Sequence, residues 1–239
     1  NRYADTVYHI ECRSETRFDW DIIGYTVGRM LPSAGVPVLT GDFHRPTLTM
    51  LKQCFTAMAT TSACELCHIV GVTPEARSLE DARGNKPLRG EFTITQKDYD
   101  ESCRQICSAG EGKINFVLLG CPHYSLEDIQ QVANYIHGKK VAEGVELHVW
   151  TDMSTLAMAK ASGFVKTIED AGGNVLSSSC AMVMDPAAFS HVTAMVTDSG
   201  KQGHYMHSCF GTEKHVPIYY GDVCKCIDAA AAGYWKGEA

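Results

Sequence analysis

Four short segments carry side chains whose types and spacing can do chemistry. In Gly120-Cys121-Pro122-His123-Tyr124-Ser125 a thiol, an imidazole and a hydroxyl follow the apolar run 114–119. Ser177-Ser178-Ser179-Cys180 sets three hydroxyls before a second thiol. Thr197-Asp198-Ser199-Gly200-Lys201 combines a carboxylate, hydroxyls and an ammonium, and Thr151-Asp152 is a shorter companion. A thiol in such a place is a metal ligand, a nucleophile or a bystander. A Cys121–His123 nucleophile pair is disfavoured, because residues two apart beside a proline rarely set imidazole on thiol. Thiolates suit soft metal centres.

Each segment follows a stretch that reads as strand and precedes one that reads as helix. Apolar spacing and breakers predict helices over 21–31, 46–60, 96–108, 125–137, 154–162 and 222–232, with a short helix ending at 171. Strands are expected over 36–40, 65–72, 114–119, 146–150, 174–177, 193–196 and 216–219, and 79–90 reads as a charged surface loop. This alternation is an α/β fold with parallel or mixed sheets flanked by helices, in two α/β units, 1–90 and 91–239. If the strands of the second unit are parallel, all four segments open on one sheet edge, where such folds place ligands. Backbone N–H groups at the adjoining helix starts favour an anionic ligand there.

A chain of 239 residues with 45% hydrophobic and 21% charged residues reads as an ordinary globular protein. The net charge of −7 and the lack of a Lys/Arg-rich run argue against nucleic acid, and no segment has the apolar length of a membrane helix. Eleven cysteines, an odd count in a long chain without a leader, suggest reduced thiols and a cytoplasmic setting. Cys54, Cys103, Cys107 and Cys224 fall on apolar patterns as small core residues. Cys64-Glu65-Leu66-Cys67 invites a zinc or redox reading, but no second pair completes a four-ligand site. Cys224 and Cys226 face apart on a helix, the role of Cys209 stays open, and His68 reads as a core histidine or a residue near the site. No phosphate-loop, dinucleotide or nucleophile-elbow motif is present.

The segment Gly120-Cys121-Pro122-His123-Tyr124-Ser125-Leu126-Glu127 resembles the G-C-P-H-x-S-L-E signature of the aconitase X family. Three further segments agree with that family in order. They are His68-Ile69-Val70-Gly71-Val72-Thr73-Pro74-Glu75-Ala76, Ser179-Cys180-Ala181-Met182-Val183, and Thr197-Asp198-Ser199-Gly200-Lys201-Gln202-Gly203-His204-Tyr205.

The resemblance implies an aconitase-like fold and a hydro-lyase that dehydrates a small hydroxy acid with an iron–sulfur cluster. The substrate is cis-3-hydroxy-L-proline or, in archaeal relatives, mevalonate 5-phosphate. Two cluster ligands map onto Cys121 and Cys180, and the third is expected upstream of this chain. A small swivelling domain or subunit supplying a catalytic Ser is the implied partner. The chain then reads as the C-terminal part of a larger enzyme, which fits its start at Asn1. Ser199, Lys201 and Ser178 are candidates for binding the substrate carboxylate, and His123 and His204 for orienting or protonating the departing hydroxyl. Asp198, where relatives often have Asn, and Gly200, where Ala is common, favour the hydroxyproline substrate. The competing class is an inactive metal- or thiol-binding α/β domain.

Overall fold

A computed structural model describes residues 2–108, 110–210 and 215–237. It divides into two compact units, Asn1–Cys103 and Arg104–Ala239. The first unit contains β1 (Thr6–Ile10), α1 (Arg17–Met30), β2 (Pro37–Gly41), α2 (Leu48–Ser62), β3 (His68–Ile69), α3 (Leu79–Arg83) and β4 (Gly90–Ile94), and α4 (Gln96–Ile106) follows. Its four strands are parallel in the order β3-β2-β1-β4. Gly24 lets α1 lie against α2, since a Cβ there would stand 2.0 Å from the Cys54 carbonyl oxygen. Asp19 is buried yet fully used. Its Oδ1 accepts from Tyr99 at 2.7 Å and pairs with Arg13 at 3.1 Å, and its Oδ2 accepts from the Glu15 and Thr16 amides.

Three expectations change in this unit. The boundary at 90/91 moves, because the edge strand β4 pairs with β1 along its whole length and the unit runs on to Cys103. The strand expected over 65–72 shrinks to His68–Ile69, because the chain turns back at once: Gly71 N–H donates to the Ala76 carbonyl at 2.8 Å. The segment 79–90 is not all loop, since Ser78 caps α3 through the Asp81 amide. The thiols of Cys64 and Cys67 donate to the carbonyls of Leu66 and His68 at 3.2 and 3.4 Å, and burial pushes both pKa values up. They are core thiols. His68 is buried with Nε2 on the Arg2 carbonyl at 2.7 Å.

The second unit contains β5 (Gly112–Lys113), β6 (Phe116–Tyr124), α5 (Leu126–Ile136), β7 (Glu146–Thr151), α6 (Met153–Ala161), α7 (Phe164–Asp170) and β8 (Gly173–Ser177). After two 3-10 turns come β9 (Met195–Thr197), α8 (Gly200–Cys209), β10 (Ile218–Tyr220), α9 (Val223–Ala232) and β11 (Tyr234–Trp235). Five strands form a parallel sheet in the order β10-β9-β6-β7-β8, and β5 and β11 form a separate antiparallel pair. Alternation along the strands feeds two cores. Val117, Leu119, Leu147 and Val149 pack with α5, α7 and α9, whereas Phe116, Leu118, Trp150 and Met195 pack with Phe189 and Met206. Among the described residues no helix is long and apolar enough to cross a membrane.

Candidate active site

Every strand of the second unit's main sheet runs in one direction, so the segments after β6, β7, β8 and β9 share its carboxyl edge. The cysteine segment is a bulge inside β6 rather than a loop after it. Leu119 pairs with Val149 and Tyr124 with Thr151, so five steps on β6 oppose two on β7. The surplus pushes Gly120, Cys121, Pro122 and His123 out of the ladder. Gly120 makes this possible with φ +91°, and a Cβ there would lie 2.2 Å from the Trp150 carbonyl oxygen. The Cys121–Pro122 bond is cis. Beyond the bulge, Thr151 Oγ1 donates to the Tyr124 carbonyl at 2.6 Å, and Ser125 caps α5 in a reciprocal box with Asp128.

Cys180 lies in the segment that leaves β8. Ser178 before it has φ +69°, a conformation that costs a non-glycine residue energy and recurs at functional sites. His123 joins the two cysteine segments, because its Nε2 donates to the Ser179 carbonyl at 2.8 Å. Cys121 and Cys180 are both half-buried and in no disulfide. Cys209 also approaches this segment, with Sγ 3.7 Å from Met182 Sδ, and burial raises its pKa. Cys226 donates to the Gly221 carbonyl within the interior.

The third segment forms the start of α8. Ser199 is buried, and its Oγ accepts from the Gln202 amide at 3.2 Å. Buried Asp198 accepts from the Tyr124 hydroxyl at 2.5 Å, so β6 and the α8 start are tied directly. Lys201 is half-exposed and has no ion-pair partner among the described residues. His204 lies on the exposed side of α8 with its ring edge-on to Tyr205. Asp152, at the end of β7, caps α6, and its bonds to Thr155 lower its pKa to about 2. The edge thus gathers Cys121, His123, Ser178, Cys180, Ser199 and Lys201 and leaves His204 facing solvent. Tyr124 is a partner whose role the spacing does not reveal, and Thr151, named with its segment, proves to hold the Tyr124 carbonyl. The signal available for Tyr124 was its position directly after His123.

Among the described residues no group of three His, Cys, Asp or Glu side chains converges as a metal site. The donors still fit an iron–sulfur group in kind, since two half-buried thiols in no disulfide stand on segments joined by a hydrogen bond.

Two family models match this chain: the aconitase X second domain over residues 4–104 and the aconitase X third domain over 114–232. The chain belongs to the aconitase X family. The third-domain match spans the bulge, the Cys180 segment and the α8 start. The chain is 29% identical over 213 residues to the cis-3-hydroxy-L-proline dehydratase of Pseudomonas aeruginosa, covering 88% of this chain and 36% of that protein. It is 31% identical over 214 residues to the phosphomevalonate dehydratase large subunit of Methanothermobacter thermautotrophicus, covering 89% of this chain and 51% of that one. The crystal structure of Thermococcus kodakaraensis aconitase X, in its holo-form, superposes with TM-score 0.80 at 26% identity, over 96% of this chain and 56% of that chain. The chain therefore spans roughly a third to a half of the length of these curated relatives.

Proposed function

We propose that this aconitase X chain forms part of a hydro-lyase that dehydrates a small hydroxy acid, with cis-3-hydroxy-L-proline as substrate. The observation that carries the reading is the hydrogen bond from His123 to the Ser179 carbonyl, which holds the Cys121 and Cys180 segments together beside the start of α8. The relatives named as dehydratases of hydroxyproline and phosphomevalonate support the reaction class. Phosphomevalonate is the second reading. Identity to its large subunits is comparable, and Lys201, which has no ion-pair partner among the described residues, offers a cation for a phosphate.

Cys121 and Cys180 would hold an iron–sulfur cluster together with a ligand outside this chain. When bound, the cluster supplies a Lewis acid for the substrate's hydroxyl. The substrate carboxylate sits at the α8 start, where backbone N–H groups, the Ser199 hydroxyl and Lys201 present donors and positive charge. Ser178 offers a further hydroxyl from the opposite segment. Dehydration breaks one C–H and one C–O bond and releases water, so a proton must reach the departing hydroxyl. His123, held at the edge by its Nε2 bond, orients that hydroxyl better than the solvent-facing His204. The large-subunit name of the archaeal relatives supports a small domain or subunit as partner, which would contribute the catalytic Ser. The setting is cytoplasmic, where thiols stay reduced.

Iron and sulfide analysis of anaerobically purified protein, with its visible spectrum, tests the cluster. Dehydration of both acids tests the substrate. Cys121→Ser and Cys180→Ser should each abolish iron binding and turnover. Colourless, iron-free protein would point to a metal- or thiol-binding domain instead, and activity in either variant would sink the ligand assignment.

A further inference from the structure

His123 and Tyr124 between them hold three other segments of the carboxyl edge. His123 reaches the Ser179 carbonyl and so joins the two cysteine segments. Tyr124 reaches both strands that flank β6 in the order β10-β9-β6-β7-β8. On the β7 side its carbonyl accepts from Thr151 Oγ1 at 2.6 Å, and the two residues pair in the ladder. On the β9 side its hydroxyl donates to Asp198 Oδ2 at 2.5 Å, directly after the end of that strand. Both partners lie in the interior, Tyr124 at 1% exposure and Asp198 at 2%. The Tyr124 ring belongs to the core that includes Ile129, Val196 and Val223, so packing fixes where its hydroxyl points. A carboxylate buried this deeply keeps its donors, because losing one leaves charge uncompensated away from water.

We propose that Tyr124 is a positioning residue that sets the Cys121 thiol against Ser199 and Lys201. The inference rests on the reading of this edge as the cluster and substrate site. Cys121 stands three residues before Tyr124, and Ser199 directly follows Asp198. The bond from the Tyr124 hydroxyl to the Asp198 carboxylate is thus a direct bridge from a cluster ligand to the residues that hold the substrate carboxylate. Residues 120–123 have no partner on β7, so the placement of Cys121 is set at the two ends of the bulge, by Leu119 and by Tyr124. In a dehydration both holds act at once, since the departing hydroxyl and the anchored carboxylate belong to one small molecule. A misplacement of about 1 Å between two such holds costs on the order of 100-fold in rate. Tyr124 acts through the bulge and through Asp198, with its own hydroxyl engaged by the carboxylate.

The test reads Cys121 itself in cluster-free protein, by its rate of iodoacetamide labelling resolved by mass spectrometry. Tyr124→Phe should label about 10-fold faster there, the change that one net hydrogen bond makes in an opening equilibrium. Asp198→Ala removes the other end of the bridge and should also speed labelling, and the double variant should be no faster than Asp198→Ala alone. Asp198→Asn keeps an acceptor for the hydroxyl and should stay within a few-fold of wild type. Val165→Ala, a core truncation in α7, controls for lost stability, with the proteins compared at urea concentrations that equalise their unfolding free energies. In protein reconstituted anaerobically with iron and sulfide, a ferrous chelator should strip iron about 10-fold faster from Tyr124→Phe than from that control. A role confined to folding would give Tyr124→Phe and the control the same rates. Equal rates in either assay overturn the proposal, as do additive effects in the double variant or an Asp198→Asn that labels as fast as Asp198→Ala. The two readings fail separately. Protein that takes up no iron but shows the labelling pattern loses only the cluster, and iron-loaded protein indifferent to Tyr124→Phe loses only the role of Tyr124.

Discussion

Replacing Gly120 with alanine should open the sheet at the cysteine bulge. Two costs add. The backbone at φ +91° disfavours any Cβ, by about 1–2 kcal/mol. The new Cβ would also meet three backbone atoms of Trp150, at 2.2, 2.8 and 2.9 Å, where real contacts stay beyond 3.0 Å. Backbone cannot rotate away as a side chain can, so β6 and β7 must part by 0.8 Å at the tightest contact, from 2.2 to 3.0 Å. That separation stretches the bond from Thr151 Oγ1 to the Tyr124 carbonyl, and it loosens the last pair of the ladder. Losing those contacts adds roughly another 2 kcal/mol. The sum, about 3–4 kcal/mol, corresponds to a drop of roughly 10 °C in Tm for a chain of this size. Gly144→Ala is the control, because Gly144 has φ +78° but nothing within 4 Å of a Cβ, so only the backbone cost applies. Thermal and urea melts of the three proteins should rank wild type, Gly144→Ala, Gly120→Ala in falling stability. Equal shifts for the two variants would refute the close approach of Gly120 to Trp150 as the cause.

Other perturbations reach the same edge. Tyr124→Phe removes the hydroxyl that serves buried Asp198 and should cost about 1.5–3 kcal/mol in urea unfolding, and an unchanged midpoint would contradict that bond's role. His123→Ala unties the Ser179 carbonyl at a cost of about 1 kcal/mol, and in cluster-free protein iodoacetamide should label Cys180 several-fold faster. Unaltered labelling would show that the Cys180 segment is held by other contacts. Ser178→Gly relieves a positive φ and should raise stability by roughly 0.5–1 kcal/mol while weakening substrate binding, so a fall in Tm would argue against strain there. Acid stability follows from Asp152, Asp98 and Asp228, whose pKa values lie below their ordinary range through bonds to Thr155, Thr95 and Lys139. Groups depressed on folding stabilise above about pH 4 and lose that contribution as pH falls toward about 2. Asp152→Asn should flatten this acid limb and leave the melt near pH 7 almost unshifted, apart from the altered cap. A limb as steep as wild type would remove Asp152 from the account.

The alternation of strands and helices is legible where a helix shows its stripe and cap and a strand its apolar run, as across the second unit. The central strand β1 of the first unit, with His9 in its short run, lies outside the expected strands. The edge strand β4 is not legible in the sequence because GEFTI is short and half polar, and its pairing with β1 is long-range. The apolar run after Cys67 reads as a longer strand than forms, since it does not reveal the turn that Thr73 and Ala76 impose. At the candidate site, residue types and order pointed to Cys121, Cys180, Ser199 and Lys201. Their spacing could not show that the cysteine segment bulges from within a strand, nor that Tyr124 spans to Asp198. Both depend on register, which one strand's sequence leaves undetermined.

That bulge has a consequence for chain length. Leu119 and Tyr124 are each locked to β7, so the four residues between them bridge a gap whose two ends are fixed. Adding or deleting one residue there changes the length of chain between two fixed ends and shifts His123 relative to the Ser179 carbonyl that it holds. The stretch from Ser178 to Ala194 has no such double anchor in the ladder, since β8 ends at Ser177 and β9 begins at Met195. Insertions should be tolerated in the second cysteine segment and rejected in the first. The distance from Leu119 to Tyr124 behaves as a ruler, while that from Ser178 to Ala194 behaves as a hem that can be let out.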